Sequence, residues 1–402
     1  MSKGQMAIVG AGPAGMAAAL AARRIGWEAT IYERYPHVKP AGNILNLWPP
    51  PQKVLRLLGV DIEDLGAPAN SDFRSHTGHV RARVRLPQAV IDEYGGGFIG
   101  LLRPGLYQRM LDALGEGTIR YGHEVTGFSE GGGKVTVHLR DRDDVEADVL
   151  VGADGIHSAV RRGLWGDAPT RNQKLHLVAG YVFTDATDPV TVVAHDRTTQ
   201  GSYSAIRHEG RSGYEWWVLE AFDPRKPTPP DLRAYALERA RRFDGPLASL
   251  VEQTPDDHLQ RWEIHDRKPL KQWSKGRVTI VGDAAHPTSP YAAYGAGMSI
   301  EDGYFLAAEL ERVDAGEDAQ VRAALQAFEE RRKKHTRQVS QLAYYNGIMF
   351  HRLPAFLRPL RDLVFDRTPL LQKVIGDDMP AQILSQLAEI DAVERQVRVA
   401  SR

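Results

Sequence analysis

The chain has 402 residues, too many for one simple core, so two domains or one elaborated domain is expected. Its 51 Lys and Arg balance 51 Asp and Glu, which points away from nucleic acid and acidic membranes as partners. The lack of cysteine excludes disulfides, thiolate metal sites and cysteine nucleophiles, and fits a reducing, cytoplasmic setting. An uncharged run spans Met6 to Ala22, but three glycines and Pro13 interrupt it, so it is not read as a signal peptide. No other long apolar stretch occurs, and no membrane span is expected. Ala7-Ile8-Val9 ends a short buried strand. Gly10, Gly12 and Gly15 then supply G-x-G-x-x-G, with Ala14 inside it, and an alanine-rich helix follows. Gly10 permits the tight turn, Gly12 lets a pyrophosphate approach the backbone, and Gly15 lets helix and strand pack closely. The free N–H groups of the helix start favour a phosphate. A second strand, Ala29 to Glu33, ends on an acid roughly 20 residues past the motif, suited to a ribose. Strand, glycine turn, helix, strand and acid together point to dinucleotide binding.

After Glu33 and Arg34 comes a loop punctuated by Pro36, Pro40 and Gly42, whose Asn43 and Asn46 are candidates to line a site. Gln52 to Leu58 reads as a short helix closed by Gly59. Val80 to Leu86 alternates with a period of two, and its arginines are expected on a solvated strand face. A strand ending at Leu102 leads into a helix with Pro104 in its first turn. A hairpin turns at Gly131 to Gly133, and Asp148 to Gly155 is a buried strand running into a glycine turn. Lys174 to Glu263 reads as a mostly antiparallel sheet inserted between pieces of the nucleotide domain. Arg277 to Asp283 repeats the pattern of strand, glycine and acid. Met298 to Leu310 and Asp318 to Leu342 are helical, and the tail is amphipathic helix with proline breaks. The expected division gives 1–70, 97–172 and 269–330 to the nucleotide domain, 71–96 and 173–268 to the sheet domain, and 331–402 to a helical region.

Three motifs stand in order: Gly10-x-Gly12-x-x-Gly15, Gly152-Ala153-Asp154-Gly155 running to Arg161, and Gly282-Asp283-Ala284-Ala285-His286-Pro287. With them the chain resembles, over nearly its whole length, the single-component FAD-dependent aromatic monooxygenases of the para-hydroxybenzoate hydroxylase and salicylate hydroxylase type. The resemblance implies an α/β, Rossmann-like FAD-binding domain with an inserted mostly antiparallel substrate sheet and a helical C-terminal region. It implies bound FAD, NADH or NADPH as co-substrate, and dioxygen. These would hydroxylate or epoxidise an aromatic or planar small molecule through a flavin hydroperoxide. The cofactor would be held by Gly10, Gly12, Ala14, Gly15, Glu33, Arg34, Arg103, Val125, Asp154, Asp283, Pro290, and Gly295, Ala296, Gly297 and Met298. The physical case for the last four stands alone: reduced flavin is negative at its pyrimidine edge, and free helical N–H groups stabilise that charge.

The family commonly has Gly-Gln-Gly where this chain has Ala293-Tyr294-Gly295, so Tyr291 and Tyr294 join Pro290 as flavin-adjacent candidates. Asn46, Tyr203, Trp217 and Tyr291 are candidate substrate contacts. Strand alternation puts Trp216 and Trp217 on opposite faces, so only one can meet the flavin. Arg74 and Arg103 are candidate carboxylate partners. No histidine is assigned as a base, and His286 is read as structural. No metal is expected, because no histidine pair has ligand spacing beside an acid. Arg331-Arg332-Lys333-Lys334-His335 is read as a solvated helix face. Competing readings on the same fold are a reductase or oxidative cyclase acting on a polyketide or lipid, and a flavoprotein that holds FAD without turnover. A halogenase lacks support, since Trp216-Trp217 does not match its motif. Monomer and homodimer are both open.

Overall fold

The computed structural model describes residues 2–38, 44–185 and 188–400, with side chains through 396; Asn43 of the early loop lies outside the described residues. The chain opens with β1 (Gln5–Val9), α1 (Pro13–Arg24) and β2 (Glu28–Glu33). β3 (Ile44–Leu47) leads into α2 (Pro49–Leu57). That helix begins three residues before the expected Gln52, because Pro49, Pro50 and Pro51 fill its first turn. Proline suits that turn, since its N–H groups lack intrahelical acceptors anyway. Next come β4 (Ala67–Ser75), β5 (Val80–Val84), α3 (Gln88–Tyr94), β6 (Phe98–Leu102), α4 (Arg103–Leu114) and β7 (Ile119–Tyr121). A small meander follows, β8 (Val125–Gly131), β9 (Lys134–Leu139) and β10 (Val145–Ala147), then β11 (Val149–Gly152) and α5 (Ala159–Trp165). The middle of the chain holds β12 (Arg171–Phe183), β13 (Val190–His195), β14 (Thr199–His208), β15 (Arg211–Ala221), α6 (Leu232–Ala240), α7 (Leu247–Gln253) and β16 (Gln260–Asp266). The last part holds β17 (Val278–Ile280), α8 (Gly295–Leu310), α9 (Asp318–Gly347), α10 (Arg358–Arg367) and α11 (Asp378–Ala400).

Five strands form one parallel sheet in the order β17-β11-β1-β2-β7. Its central strands are apolar without alternation, as a parallel sheet covered on both faces requires. α1 and α8 lie against each other on it. A side chain at Gly303 of α8 would run into the backbone of Ala18 in α1, so glycine there sets how closely the helices approach.

The large sheet runs β16-β12-β15-β14-β13-β4-β6-β3, with β5 on β4. It is mostly antiparallel; β13 with β4 and β14 with β6 are parallel pairs. It also takes in β3 and β6, stretches expected in the nucleotide domain. One face of this sheet carries Val178, Val182, Tyr214, Trp216 and Val218 and is covered by α6, α7 and the segment joining them through Ala236, Ala240, Phe243 and Leu247. The opposite face carries Leu177, Ala179 and Leu219, and meets Ile44 and Tyr291 from other parts of the chain. α11 returns to the first helices. Glu394 accepts two bonds from Arg24, at 2.8 and 2.7 Å, and one from the Tyr304 hydroxyl at 2.8 Å, while Lys53 pairs with Asp391. Among the described residues, no helix is long and apolar enough to cross a membrane.

Candidate functional site

The first turn is built as its glycines demand. Gly10 has φ +98°, and a Cβ there would stand 2.7 Å from the Ala153 carbonyl oxygen. A Cβ at Gly15 would collide with the Gly10 carbonyl oxygen, whereas Gly12 has nothing within 4 Å and presents an open face. Gly12 caps α1 with no side-chain bond, so the N–H groups of Ala14 and Gly15 are free at the positive end of the helix. Glu33 stands beside this turn. Its two oxygens accept from the Ala11 N–H at 2.8 Å and the Tyr35 N–H at 2.9 Å. The His123 N–H bonds the Glu33 carbonyl at 2.9 Å, which brings the start of β8, with buried Val125, alongside. Arg34 is exposed and lies over the Tyr35 ring at 4.8 Å.

The other two motifs close on the same turn. A Cβ at Gly282 would meet Ala14 Cβ at 2.9 Å, so the third motif sits against the start of α1. Arg161, buried at the end of the second motif, donates to the Ala284 carbonyl of the third at 2.9 Å. Asp154 accepts from the N–H of Ala159 at 2.6 Å and of Val160 at 3.3 Å. Its other oxygen is buried without a partner, and burial pushes the carboxyl above its ordinary pKa. Asp283 is exposed at the third motif, near His286 and Arg103. Arg103 opens α4 and donates to the Ile44 carbonyl at 3.2 Å, so it joins β3 to this cleft.

Behind the third motif lies a buried ionic network. Asp302 on α8 accepts from the Gly282 N–H at 2.9 Å, pairs with His286 Nε2 at 2.5 Å, and accepts from Arg332 Nε at 2.8 Å. Arg332 also donates to Glu301 at 2.8 Å and to Gln386 of α11 at 3.0 Å. Burial opposes ionisation of Asp302, but the His286 and Arg332 charges outweigh it and lower its pKa to about 2. Arg332 therefore corrects the expectation of a solvated basic face. It is 0% exposed, because its helix position points at α8 and two carboxylates wait there. Only context outside α9 could have signalled this.

The loop before α8 is pinned from two sides. The Trp48 indole donates to the Ala293 carbonyl at 2.9 Å. The Tyr291 hydroxyl bonds His351 Nε2. His351 Nδ1 donates to the Thr198 carbonyl at 2.9 Å, which leaves Nε2 bare to accept. Burial and the Arg361 charge lower this histidine to about 4, so it is neutral. Pro290 is exposed at the loop tip, and Ala293 takes φ +46°. α8 then starts with no side-chain cap. The Met298 N–H is taken by the Tyr294 carbonyl at 2.9 Å, so the free N–H groups are those of Gly295, Ala296 and Gly297, not Met298.

The two flavin-adjacent tyrosines separate. Tyr291 packs on the sheet face beside Trp217 and Ile44. Tyr294 is turned inward, buried beside Met298 and Val339, with its hydroxyl donating to Glu301 at 2.5 Å; it does not line the cleft. The substrate candidates separate in the same way. Trp217 faces the cleft, while Trp216 is buried on the far side and donates to Thr254 at 2.7 Å. Tyr203 pairs across the strands with Trp216 and shares its face, packed near Tyr214, so it is removed from the cleft. The odd–even register explains both placements. That register puts Glu215 on the cleft side with Trp217, between Ser204 and Tyr181. Glu215 escaped sequence reasoning because a lone acid in a strand predicts solvent. It is instead 2% exposed, and burial raises its pKa to about 8 despite the Asn46 amide and the Arg103 charge. Asn46 thus lies at the cleft, next to Glu215.

A family model described as an FAD binding domain matches residues 3–343. The 3-amino-4-hydroxybenzoate 2-monooxygenase PtnB3 of Streptomyces platensis is 30% identical over 374 residues, covering 89% of this chain and 91% of that protein. The 6-hydroxynicotinate 3-monooxygenase of Pseudomonas fluorescens is 28% identical over 85% of this chain and 91% of its own length. Klebsiella pneumoniae HpxO, solved with FAD and uric acid, superposes with a TM-score of 0.82 at 25% identity, over 95% of this chain and 97% of that one.

Proposed function

Because the chain belongs to the FAD-dependent aromatic monooxygenases, we propose that it uses NADH or NADPH and dioxygen to hydroxylate a planar aromatic or heteroaromatic small molecule. FAD is its cofactor. When bound, FAD supplies the two-electron chemistry and the activation of dioxygen. The residues present fit it. Two uncapped helix starts offer N–H groups, Gly12 presents an open backbone, and Asp154, beside Gly10, keeps one oxygen unpartnered.

In this reading Gly12, Ala14 and Gly15 bind the pyrophosphate. Glu33 holds the ribose, and Val125 backs the adenine. Arg103, Asp154 and Asp283 hold the middle of the cofactor. The N–H groups of Gly295, Ala296 and Gly297 face the flavin's pyrimidine edge, where the α8 dipole offsets negative charge. Leu177, Ala179, Ile44, Trp217 and Tyr291 make an apolar wall that limits water at the reacting centre and orients a flat ring. The single observation that carries the reading is the convergence of three phosphate- and flavin-type motifs beneath one aromatic-lined sheet face. The relatives support the substrate class, since their names specify a hydroxybenzoate and a hydroxynicotinate.

The test is NAD(P)H consumption in air by FAD-loaded protein against phenols, aryl acids, indoles and quinolones, with peroxide quantified in the same wells. The expected result is substrate-stimulated consumption, little peroxide, and a product heavier by one oxygen. Peroxide with no oxygenated product from any compound would overturn the reading.

A further inference from the structure

Glu215 is a buried acid on the cleft side of β15 that, among the described residues, has no ion-pair partner. It is 2% exposed, one of its oxygens is buried without a hydrogen-bond partner, and the Asn46 amide oxygen beside it is likewise unpartnered. A buried carboxyl left unsatisfied costs free energy, so a structural role is a poor explanation. Its surroundings are mapped by the ladder and the contacts. Ser204 lies across on β14, with its hydroxyl engaged by Thr191 at 2.5 Å, and Tyr181 lies across on β12. Asn46 approaches from β3, and Arg103 from the start of α4. Arg103 also faces Asp283 of the third motif, which sets Glu215 on the substrate side of the cofactor cleft. Trp217, two residues along β15, shares its face.

We propose that Glu215, with Asn46 beside it, selects substrates carrying an ionisable ring N–H or O–H and accepts that proton. This rests on reading the cleft as the substrate site of an FAD-dependent monooxygenase. The carboxylate takes the proton, an O–H bond forms on Glu215, the ring's N–H or O–H bond breaks, and the electron pair stays on the ring. Electron density so gained favours attack by an electrophilic oxygen. The Asn46 amide oxygen accepts a second donor where the ring has one. Burial, which raises the carboxyl's pKa to about 8, keeps both protonation states within reach of neutral pH, as a base matched to a weakly acidic ring requires. An alkylated ring would leave both acceptors buried and unpaired, which a site built for hydrogen bonding rejects strongly.

The test uses FAD-loaded protein and matched probes: hydroxyquinoline, hydroxypyridine and indole, each against its O- or N-methyl partner. Dissociation constants are read from perturbation of the flavin absorbance, so turnover is not needed. Wild type should bind the donor-bearing member of each pair at least about tenfold tighter. Its affinity for hydroxyquinoline should rise with pH through the Glu215 transition. Glu215→Gln should flatten that rise while retaining FAD. Equal affinity for methylated and unmethylated rings in wild type would overturn the assignment. So would an unchanged pH dependence in Glu215→Gln, or binding by no member of the panel. Preference for donor rings with no oxygenated product from any would sink the monooxygenase reading and leave Glu215 as the selector. Equal oxygenation of methylated and donor rings would do the reverse.

Discussion

Glu215 also gives a stability signature of its own. Its native pKa, about 8, is raised above the ordinary carboxyl value of 4.5 by burial. Between those values the folded state holds the proton more firmly than the unfolded state. Stability therefore falls as pH rises across that window, by about 5 kcal/mol in total from 1.36 kcal/mol per unit. Glu215→Gln should match wild type near pH 4 and exceed it increasingly towards pH 8, as measured by urea denaturation. A constant offset at all pH values would refute the buried-acid assignment. Arg332 works in the other direction. Its removal strands Asp302 and Glu301 in the interior, so Arg332→Met should cost about 3–5 kcal/mol. Asp302, held low by the same partners, adds stability above its ordinary pKa that is lost as pH falls towards about 2. A cost below about 1 kcal/mol in equilibrium unfolding would mean that the network is not ionic.

At the scale of elements, the turn after β1 and the loop before α8 are placed by contacts that tolerate little change. Gly15→Ala forces Cβ against the Gly10 carbonyl and should lower FAD occupancy sharply, with a lower melting temperature; unchanged cofactor content would contradict the close approach. The Tyr291 hydroxyl ties its loop to His351 beyond α9. Tyr291→Phe should cost about 1 kcal/mol and loosen the loop. The sensitive readout is peroxide yield per NAD(P)H consumed, which should rise while binding of FAD holds. An unaltered peroxide ratio would show that the tie does not orient the site. The start of α8 was legible from its glycines and alanine, but the fate of Tyr294 was not. Its ring turns inward because Glu301 offers an acceptor seven residues along the same segment.

Across the whole molecule, the proposed substrate face is composite. Within the large sheet β15 supplies Trp217 and Glu215 and β3 supplies Asn46, and the loop before α8 supplies Tyr291. α11 ties α1 and α8 together, its Glu394 bonding Arg24 and Tyr304. Arg24→Ala together with Lys53→Ala should lower the melting temperature with a smaller effect on FAD affinity than Gly15→Ala, because these ion pairs brace the domain from outside the cleft. A loss of FAD equal to that of Gly15→Ala would place α11 in the binding machinery.

The nucleotide fold could be read directly from the chain because its signals are local. Gly10, Gly12, Gly15 and Glu33 lie within one strand–helix–strand unit, and a parallel sheet buried on both faces leaves continuous apolar runs at Ile8-Val9 and Val149 to Val151. The second and third motifs were legible for the same reason. What the sequence could not decide was which residues share a face across distant strands. Tyr203 and Trp217 look alike in composition, yet the register sends one under α6 and α7 and the other to the cleft. Glu215 and Arg332 look like solvated charges, yet each is buried by elements far away in the chain. Local backbone preference and hydrophobic period act over a few residues. Burial of a charge depends on what long-range packing brings to it, and only the tertiary structure sets that.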